Sequence, residues 1–181
     1  MIDDLVARIR AAPPRRGTTR LVCVDGPSGA GKTEFATRLT VALGDATLLH
    51  MDELYPGWDG LAAGVARLRA DVVAPLREGR PARYRRWDWV RAAYGECHDL
   101  GVPPLLVVEG VGAGAADTAS PGRATSLLVW LDAPEVVRYR RAMERDGATY
   151  APHWSRWAAQ ERAHFAADRT RDRADVVLTT G

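Results

Sequence analysis

The stretch GPSGAGKT, residues 26–33, decides the fold predicted for this chain. It matches the pattern Gly-x-x-x-x-Gly-Lys-Ser/Thr. It follows the apolar run RLVCVDG, which predicts a buried strand, and precedes helical spacing from Thr33 to Leu43. In that setting, backbone N–H groups and the positive end of the helix hold phosphate; an ordinary glycine-rich turn is the alternative. We interpret the stretch as a phosphate-binding loop made of Gly26, Pro27, Ser28, Gly29, Ala30, Gly31, Lys32 and Thr33.

The only lysine of the chain lies in this loop. Lys32 stands alone, whereas the other 24 of the 25 basic residues are arginine. A compact ammonium fits a narrow loop as a point charge, which a planar guanidinium does not. We expect Lys32 to reach the β- and γ-phosphates of ATP, with GTP as the alternative, and the Thr33 hydroxyl to bind Mg²⁺. Glu109, at the end of the apolar run LLVVEG, is the expected second metal anchor, unless it only caps a turn.

Composition indicates one globular domain over residues 1–181. The chain is 46% hydrophobic and 27% charged, and its formal net charge of +2 predicts no strong field for nucleic acid. The N-terminus is acidic and mixed, and no apolar run approaches the length of a membrane span. Cys23 and Cys97 are expected to be free thiols in a reducing cytoplasm. Oligomeric state cannot be read from the sequence.

Strand and helix patterns alternate along the chain. This alternation predicts an α/β fold with a parallel sheet covered by helices on both faces. The predicted strands are RLVCVDG (20–26), ATLLHMD (46–52), PPLLVVEG (103–110), ATSLLVWLDAP (124–134) and ADVVLTT (174–180), and the predicted helices include 3–12, 33–43 and 61–76.

The end of the second predicted strand carries a candidate catalytic base. Ligands of open α/β sheets gather beyond the carboxyl ends of the strands, so Asp52 should lie near the terminal phosphate. An alcohol acceptor needs a carboxylate that orients it and takes its proton late in the transfer. A cap or turn aspartate is the alternative, and the adjacent Glu53 is expected to face elsewhere.

Aromatic residues and arginines follow in two further groups. Five aromatic rings could stack on a base or line a slot for an acceptor, with core packing as the alternative for each: Tyr55, Trp58, Tyr84, Trp87 and Trp89. Asp59 and Asp88, each beside a tryptophan, suit the hydroxyl groups of an acceptor. The arginines at 138, 141 and 145 share a helical face by spacing, so they could clamp a transferring phosphoryl group from a lid over about residues 141–158; a solvated helix face is the alternative.

The order of these motifs resembles the uridine kinase family of P-loop kinases, which is related to phosphoribulokinase and pantothenate kinase. The resemblance covers about residues 20–179 and is carried by GPSGAGKT, HMDELY, WD, EGR, RRWDW, VVEG, RRAMERD and ADVVLT.

The resemblance implies a nucleoside monophosphate kinase-like fold with a five-stranded parallel sheet and a small arginine-bearing lid. It also implies ATP- and Mg²⁺-dependent phosphorylation of a nucleoside 5′-hydroxyl. The roles implied for single residues are a catalytic base at Asp52, acceptor contacts at Tyr55, Trp58, Asp59, Trp87, Asp88 and Trp89, and lid cations at Arg141 and Arg145. Trp87 replaces the family's tyrosine. The base-selecting histidine that the family carries shortly after this segment is absent, and Arg91 is the nearest polar residue.

Other functions compete with a nucleoside kinase. Another acceptor, such as a sugar, a pantothenate-like alcohol or an antibiotic, would keep the fold and the phosphate loop. A nucleotide-binding ATPase without a small acceptor is the remaining class. A switch GTPase is disfavoured because the chain lacks an Asn-Lys-x-Asp motif and its one lysine is already assigned.

Overall fold

A computed structural model describes residues 1–15, 17–117 and 125–181 of the chain. The strands are β1 (Arg20–Asp25), β2 (Thr47–His50), β3 (Ala82–Asp88), β4 (Ala93–Gly101), β5 (Leu105–Glu109), β6 (Leu127–Asp132) and β7 (Val176–Thr179). The α-helices are α1 (Ile2–Ala11), α2 (Lys32–Leu43), α3 (Leu61–Arg67), α4 (Ala74–Arg77), α5 (Glu135–Tyr150), α6 (Trp154–Asp168) and α7 (Thr170–Arg173).

A five-stranded sheet in the order β2-β5-β1-β6-β7 forms the centre of the described structure. All of its paired strands are parallel. The strand β5 is buried at every position and β1 at all but its first, as expected for strands covered on both faces. The predicted α/β fold with a parallel sheet is therefore confirmed.

The helices bury two apolar clusters, one on each face of the sheet. On one face Ile9 of α1 and Leu39 of α2 pack with Val107 of β5. On the other face Leu68 and Trp157 pack with Leu106 of β5. The alternation of side chains along each strand, with period two, feeds both clusters from the same strands. No helix that the structure describes is both long enough and apolar enough to cross a membrane.

Several elements differ from their predicted bounds. The second strand ends at His50, and Met51–Glu53 forms a 3₁₀ turn, so Asp52 lies in this turn, two residues beyond the strand. The predicted helix 61–76 is present but contains a π-helical turn over Leu68–Val73. The predicted fourth strand starts at Ala124, which lies outside the described residues.

A two-stranded antiparallel hairpin, β3 with β4, was not predicted. Ala82 and Tyr84 are buried, whereas Arg83 and Arg85 between and beside them are exposed. This alternation is the signature of a strand with one covered face, but arginines on the exposed face make the segment look like a solvated basic stretch.

Candidate active site

The loop of residues 26–33, called the phosphate loop after its predicted role, connects β1 to α2 with a conformation that requires glycine. Gly31, the residue before α2, has φ 88° and ψ 19°, and Gly26 has φ 142°. A Cβ on Gly26 would lie 2.0 Å from the carbonyl oxygen of Leu131. Because α2 begins at Lys32, the first-turn N–H groups of the helix border the loop and have no intrahelical partner. These groups and the positive helix end favour an anion at this position.

Lys32 is part of the loop rather than of the surface. Its side chain is 8% exposed, and Nζ donates a hydrogen bond of 2.9 Å to the carbonyl oxygen of Pro27. Folding the side chain back over the loop places the ammonium beside the helix N-terminus, where it adds positive charge to the same anion site.

Glu109, at the end of β5, brings two polar residues together. Its Oε1 accepts a hydrogen bond of 3.1 Å from the Thr33 hydroxyl and lies 2.6 Å from Nδ1 of His50. Glu109 is 3% exposed, and its hydrogen bond to His50 raises the pKa of that imidazole. The sequence did not single out His50, although it ends β2 beside the strand that carries Glu109.

The donor set around Thr33 and Glu109 fits Mg²⁺ held on a nucleotide. Nucleotide-bound Mg²⁺ is held by one or two protein oxygens together with phosphates and waters. The hydroxyl and the carboxylate supply two such oxygens 3.1 Å apart. Among the described residues, no group of three or more His, Cys, Asp or Glu forms a metal cage.

Asp52 follows β2 at the same edge of the sheet. Its side chain reaches solvent, but protein surrounds it on the other sides. The resulting desolvation is the largest cause that raises the pKa of Asp52, and the negative charge of Glu109 is the second. The charges of Arg145 and Lys32 act in the opposite direction. A carboxylate with a raised pKa, close to two cations, is suited to accept a proton during a reaction.

The two predicted lid arginines have different surroundings. Arg145 interacts electrostatically with Asp52, although its guanidinium is bonded to Asp146. Arg141 instead donates to the hydroxyl of Thr180 at 2.9 Å and to the carbonyl oxygen of Gly181 at 2.5 Å. The structure therefore brings Arg145, but not Arg141, toward the candidate base.

The acceptor residues predicted from 55 to 59 are already engaged within the protein. Tyr55 is 1% exposed and donates its hydroxyl hydrogen to the carbonyl oxygen of Val111 at 2.6 Å. Trp58 stacks on Tyr150 and on His153, with ring centroids 5.1 and 4.6 Å away. The carboxylate of Asp59 lies 3.2 Å from the guanidinium of Arg156. Residues 150–156 thus cover the ring of Trp58, whereas the Asp59 side chain stays 72% exposed.

The predicted acceptor residues from 87 to 91 lie at the tip of the β3–β4 hairpin. Trp87 packs edge-on against Tyr94. Asp88 accepts hydrogen bonds from the backbone N–H groups of Val90 and Arg91, and the Arg91 bond lowers its pKa. The exposed Arg91 side chain lies 3.7 Å from the Asp88 carboxylate. Asp88 therefore shapes the turn.

Trp89 connects the hairpin to the candidate base. Its indole N–H donates a hydrogen bond of 2.9 Å to the carbonyl oxygen of Asp52, and its ring packs against Trp58 with centroids 4.9 Å apart. The tip of the hairpin therefore lies beside the 3₁₀ turn that carries Asp52.

A buried carboxylate, Asp25, supports the site from beneath. It accepts hydrogen bonds of 2.7, 2.9 and 2.8 Å from the backbone N–H groups of Gly26, Gly112 and Gly114. Burial raises the pKa of Asp25 to about 6, against those hydrogen bonds and the charge of Lys32. These bonds tie the start of the phosphate loop to the segment after Glu109. The signal for this role in the sequence is an aspartate at the end of a predicted strand, directly before the first glycine of the loop.

Comparison with solved structures places the fold. A possible uridine kinase from Bacillus stearothermophilus is 20% identical with a TM-score of 0.66, covering 98% of this chain and 96% of that one. A proposed fructose transport system kinase from Silicibacter sp. TM1040 is 16% identical with a TM-score of 0.58, with coverage of 98% and 96%. Shikimate kinase from Acinetobacter baumannii, in complex with shikimate, is 18% identical with a TM-score of 0.50, with coverage of 91% and 85%.

The similarity to these three structures, at 20% sequence identity or less, is a similarity of fold. No protein-family profile and no curated protein sequence matches the chain. The chain has the α/β fold of the P-loop kinases, with its five-stranded parallel sheet flanked by helices.

Proposed function

We propose that this chain is a single-domain kinase that transfers the γ-phosphoryl group of ATP, bound with Mg²⁺, to a hydroxyl group of a small molecule. The preferred acceptor is a nucleoside 5′-hydroxyl. The observation that carries the proposal is the grouping of Lys32, Asp52, Glu109 and Arg145 around one end of the sheet, beside the N-terminus of α2. Phosphoryl transfer depends mainly on positioning and on charge stabilisation, and these groups supply both.

Each residue has a role in this scheme. The loop amides and Lys32 hold the phosphates, and Thr33 and Glu109 would hold Mg²⁺, which neutralises phosphate charge. Asp52 orients the acceptor hydroxyl and takes its proton as the new O–P bond forms and the bond to the ADP oxygen breaks. Arg145, on a lid of about residues 141–158, stabilises charge on the transferring group.

The nucleoside acceptor is supported by the order of the motifs and by aromatic side chains beside Asp52. Trp58 and Trp89 provide flat ring faces on which a nucleobase or a ribose could stack. Trp89 is hydrogen-bonded to the backbone of Asp52, so these rings lie close to the proposed catalytic base. Trp58 stacks on residues of the lid segment, so acceptor binding would displace Tyr150 or His153 from it.

The acceptor is identified by an ADP-release assay on a panel of nucleosides, sugars, shikimate and pantothenate. We expect ADP release above the acceptor-free rate with a nucleoside, uridine or cytidine first, and a phosphorylated product of matching mass. A signal only with a sugar or another alcohol would replace the nucleoside and keep the kinase. ADP release that no alcohol stimulates would show an ATPase instead.

The pH dependence of the reaction should report Asp52. The pKa of Asp52 is raised, so this carboxylate becomes protonated at a higher pH than an ordinary aspartate, whose pKa is about 3.9. Since only the deprotonated form can accept a proton, kcat/KM for ATP should fall as pH decreases through the raised pKa. The charge of Arg145 lowers the pKa of Asp52, so Arg145→Gln should move the acid limb to higher pH. Arg140→Gln, on the exposed side of the same helix, should leave the limb in place. An acid limb that does not move in Arg145→Gln would show that the charge of Arg145 does not act on the catalytic base.

A further inference from the structure

One face of α6 contacts both the phosphate loop and the segment that precedes α3. Trp157, Gln160 and Glu161 lie on this face because residues three and four apart are neighbours on a helix. We call residues 55–60, which carry Trp58 and Asp59, the acceptor-side loop.

The contact with the phosphate loop is made by a buried carboxylate. Oε1 of Glu161 accepts a hydrogen bond of 2.8 Å from the backbone N–H of Ser28 and another of 2.9 Å from the indole N–H of Trp157. Glu161 and Trp157 are each 4% exposed. Hydrogen bonds to a charged acceptor are stronger than neutral ones, and a buried carboxylate that loses them is costly. The Ser28 backbone is therefore firmly attached to α6.

The contact with the acceptor-side loop is made by the next residue back along the helix. Nε2 of Gln160 donates a hydrogen bond of 2.8 Å to the carbonyl oxygen of Trp58, and its Oε1 receives the backbone N–H of Leu61 at 3.4 Å. A glutamine amide can do both because it carries a donor and an acceptor. Trp157 adds an edge-on contact with Tyr55, with ring centroids 4.9 Å apart.

We infer that α6 sets the position of the acceptor-side loop relative to the phosphate loop, with Gln160 and Glu161 as positioning residues. The inference rests on the proposed function, since it concerns how donor and acceptor sites are held together. Both side chains project from one turn of one helix, so a shift of the phosphate loop is transmitted to the acceptor-side loop. Displacements of about 1 Å can cost on the order of a hundredfold in rate when reacting groups must be aligned.

Hydrogen–deuterium exchange with and without the ATP analogue AMP-PNP and Mg²⁺ tests this coupling without turnover. In the wild-type chain the analogue should slow exchange in peptides covering 26–33 and also in peptides covering 55–62. Gln160→Ala should keep the slowing of exchange at residues 26–33 and reduce the slowing at residues 55–62 by about fivefold, as expected for lost hydrogen bonds. Glu161→Ala should also lose the slowing at residues 55–62, whereas Glu161→Gln, which keeps an acceptor oxygen, should retain it.

Arg162→Ala, on the exposed side of α6, is the matched control and should behave as wild type. In the ADP-release assay Gln160→Ala should lower kcat about tenfold and leave nucleotide affinity unchanged. Protection at 26–33 with unaltered protection at 55–62 in both alanine variants would overturn this inference alone. An analogue that protects neither segment of the wild-type chain would overturn the phosphate-loop function and the inference together.

Discussion

Asp52→Asn is expected to lower kcat by about two orders of magnitude or more while nucleotide affinity stays nearly unchanged. The asparagine amide keeps the size of the side chain but cannot accept the proton of the acceptor hydroxyl at useful basicity. Asp52 has an exposed side chain, and asparagine has the same size, so the fold should persist. The measurement is steady-state ADP release with the acceptor from the panel, together with titration of AMP-PNP.

The neighbouring carboxylate is the matched control for this experiment. Glu53 receives the hydroxyl of Tyr84 and lies 3.6 Å from Nε of Arg86, so it faces the hairpin. Glu53→Gln keeps an oxygen for Tyr84 and should leave kcat within a few-fold of wild type. Wild-type turnover in Asp52→Asn, or an equal loss in Glu53→Gln, would show that the base is wrongly assigned.

Lys32→Ala is expected to weaken both nucleotide binding and turnover, with kcat/KM for ATP lower by about 10²–10³. Its ammonium is the one cation that the loop itself contributes, and it lies against the loop backbone at Pro27. Lys32→Arg should be impaired as well, because a side chain that is 8% exposed leaves little room for a planar guanidinium. Nucleotide titration and ADP release measure the two effects separately.

Arg38→Ala provides the control for loss of a cation from the same helix. Arg38 lies on the exposed side of α2, and its removal should change neither affinity nor kcat. The melting temperature of each variant distinguishes loss of the loop charge from loss of the fold. Nucleotide affinity in Lys32→Ala equal to wild type would mean that the phosphates are held elsewhere.

The parts of the site that sequence predicts best are contiguous. One loop must contact one phosphate group, so the spacing of its residues is fixed and can be recognised in the sequence at Gly26, Gly31, Lys32 and Thr33. Asp52 and Glu109 follow from topology, since both come at the ends of apolar runs in a parallel sheet. The 3₁₀ turn that carries Asp52 was not visible, because three residues give too short a pattern.

Contacts between distant segments were not predictable. His50 meets Glu109 across 59 residues, and Glu161 meets Ser28 across 133. Tyr55 was expected to contact the acceptor but is buried, with its hydroxyl satisfied by the carbonyl oxygen of Val111, 56 residues away. The strand β3 was not predicted because its exposed face carries arginines. The alternation of buried and exposed side chains is evident only once the buried face is known.

The proposed phosphoryl transfer requires the phosphate loop to hold a triphosphate whose terminal phosphorus faces Asp52. A crystal structure with AMP-PNP and Mg²⁺ measures this directly. We predict phosphate oxygens at the amides of residues 26–33 and at Nζ of Lys32, with the Asp52 carboxylate directed toward the γ-phosphorus and room for one hydroxyl between them. A triphosphate bound away from this loop, or an Asp52 carboxylate directed away from the γ-phosphorus, would contradict the proposed mechanism.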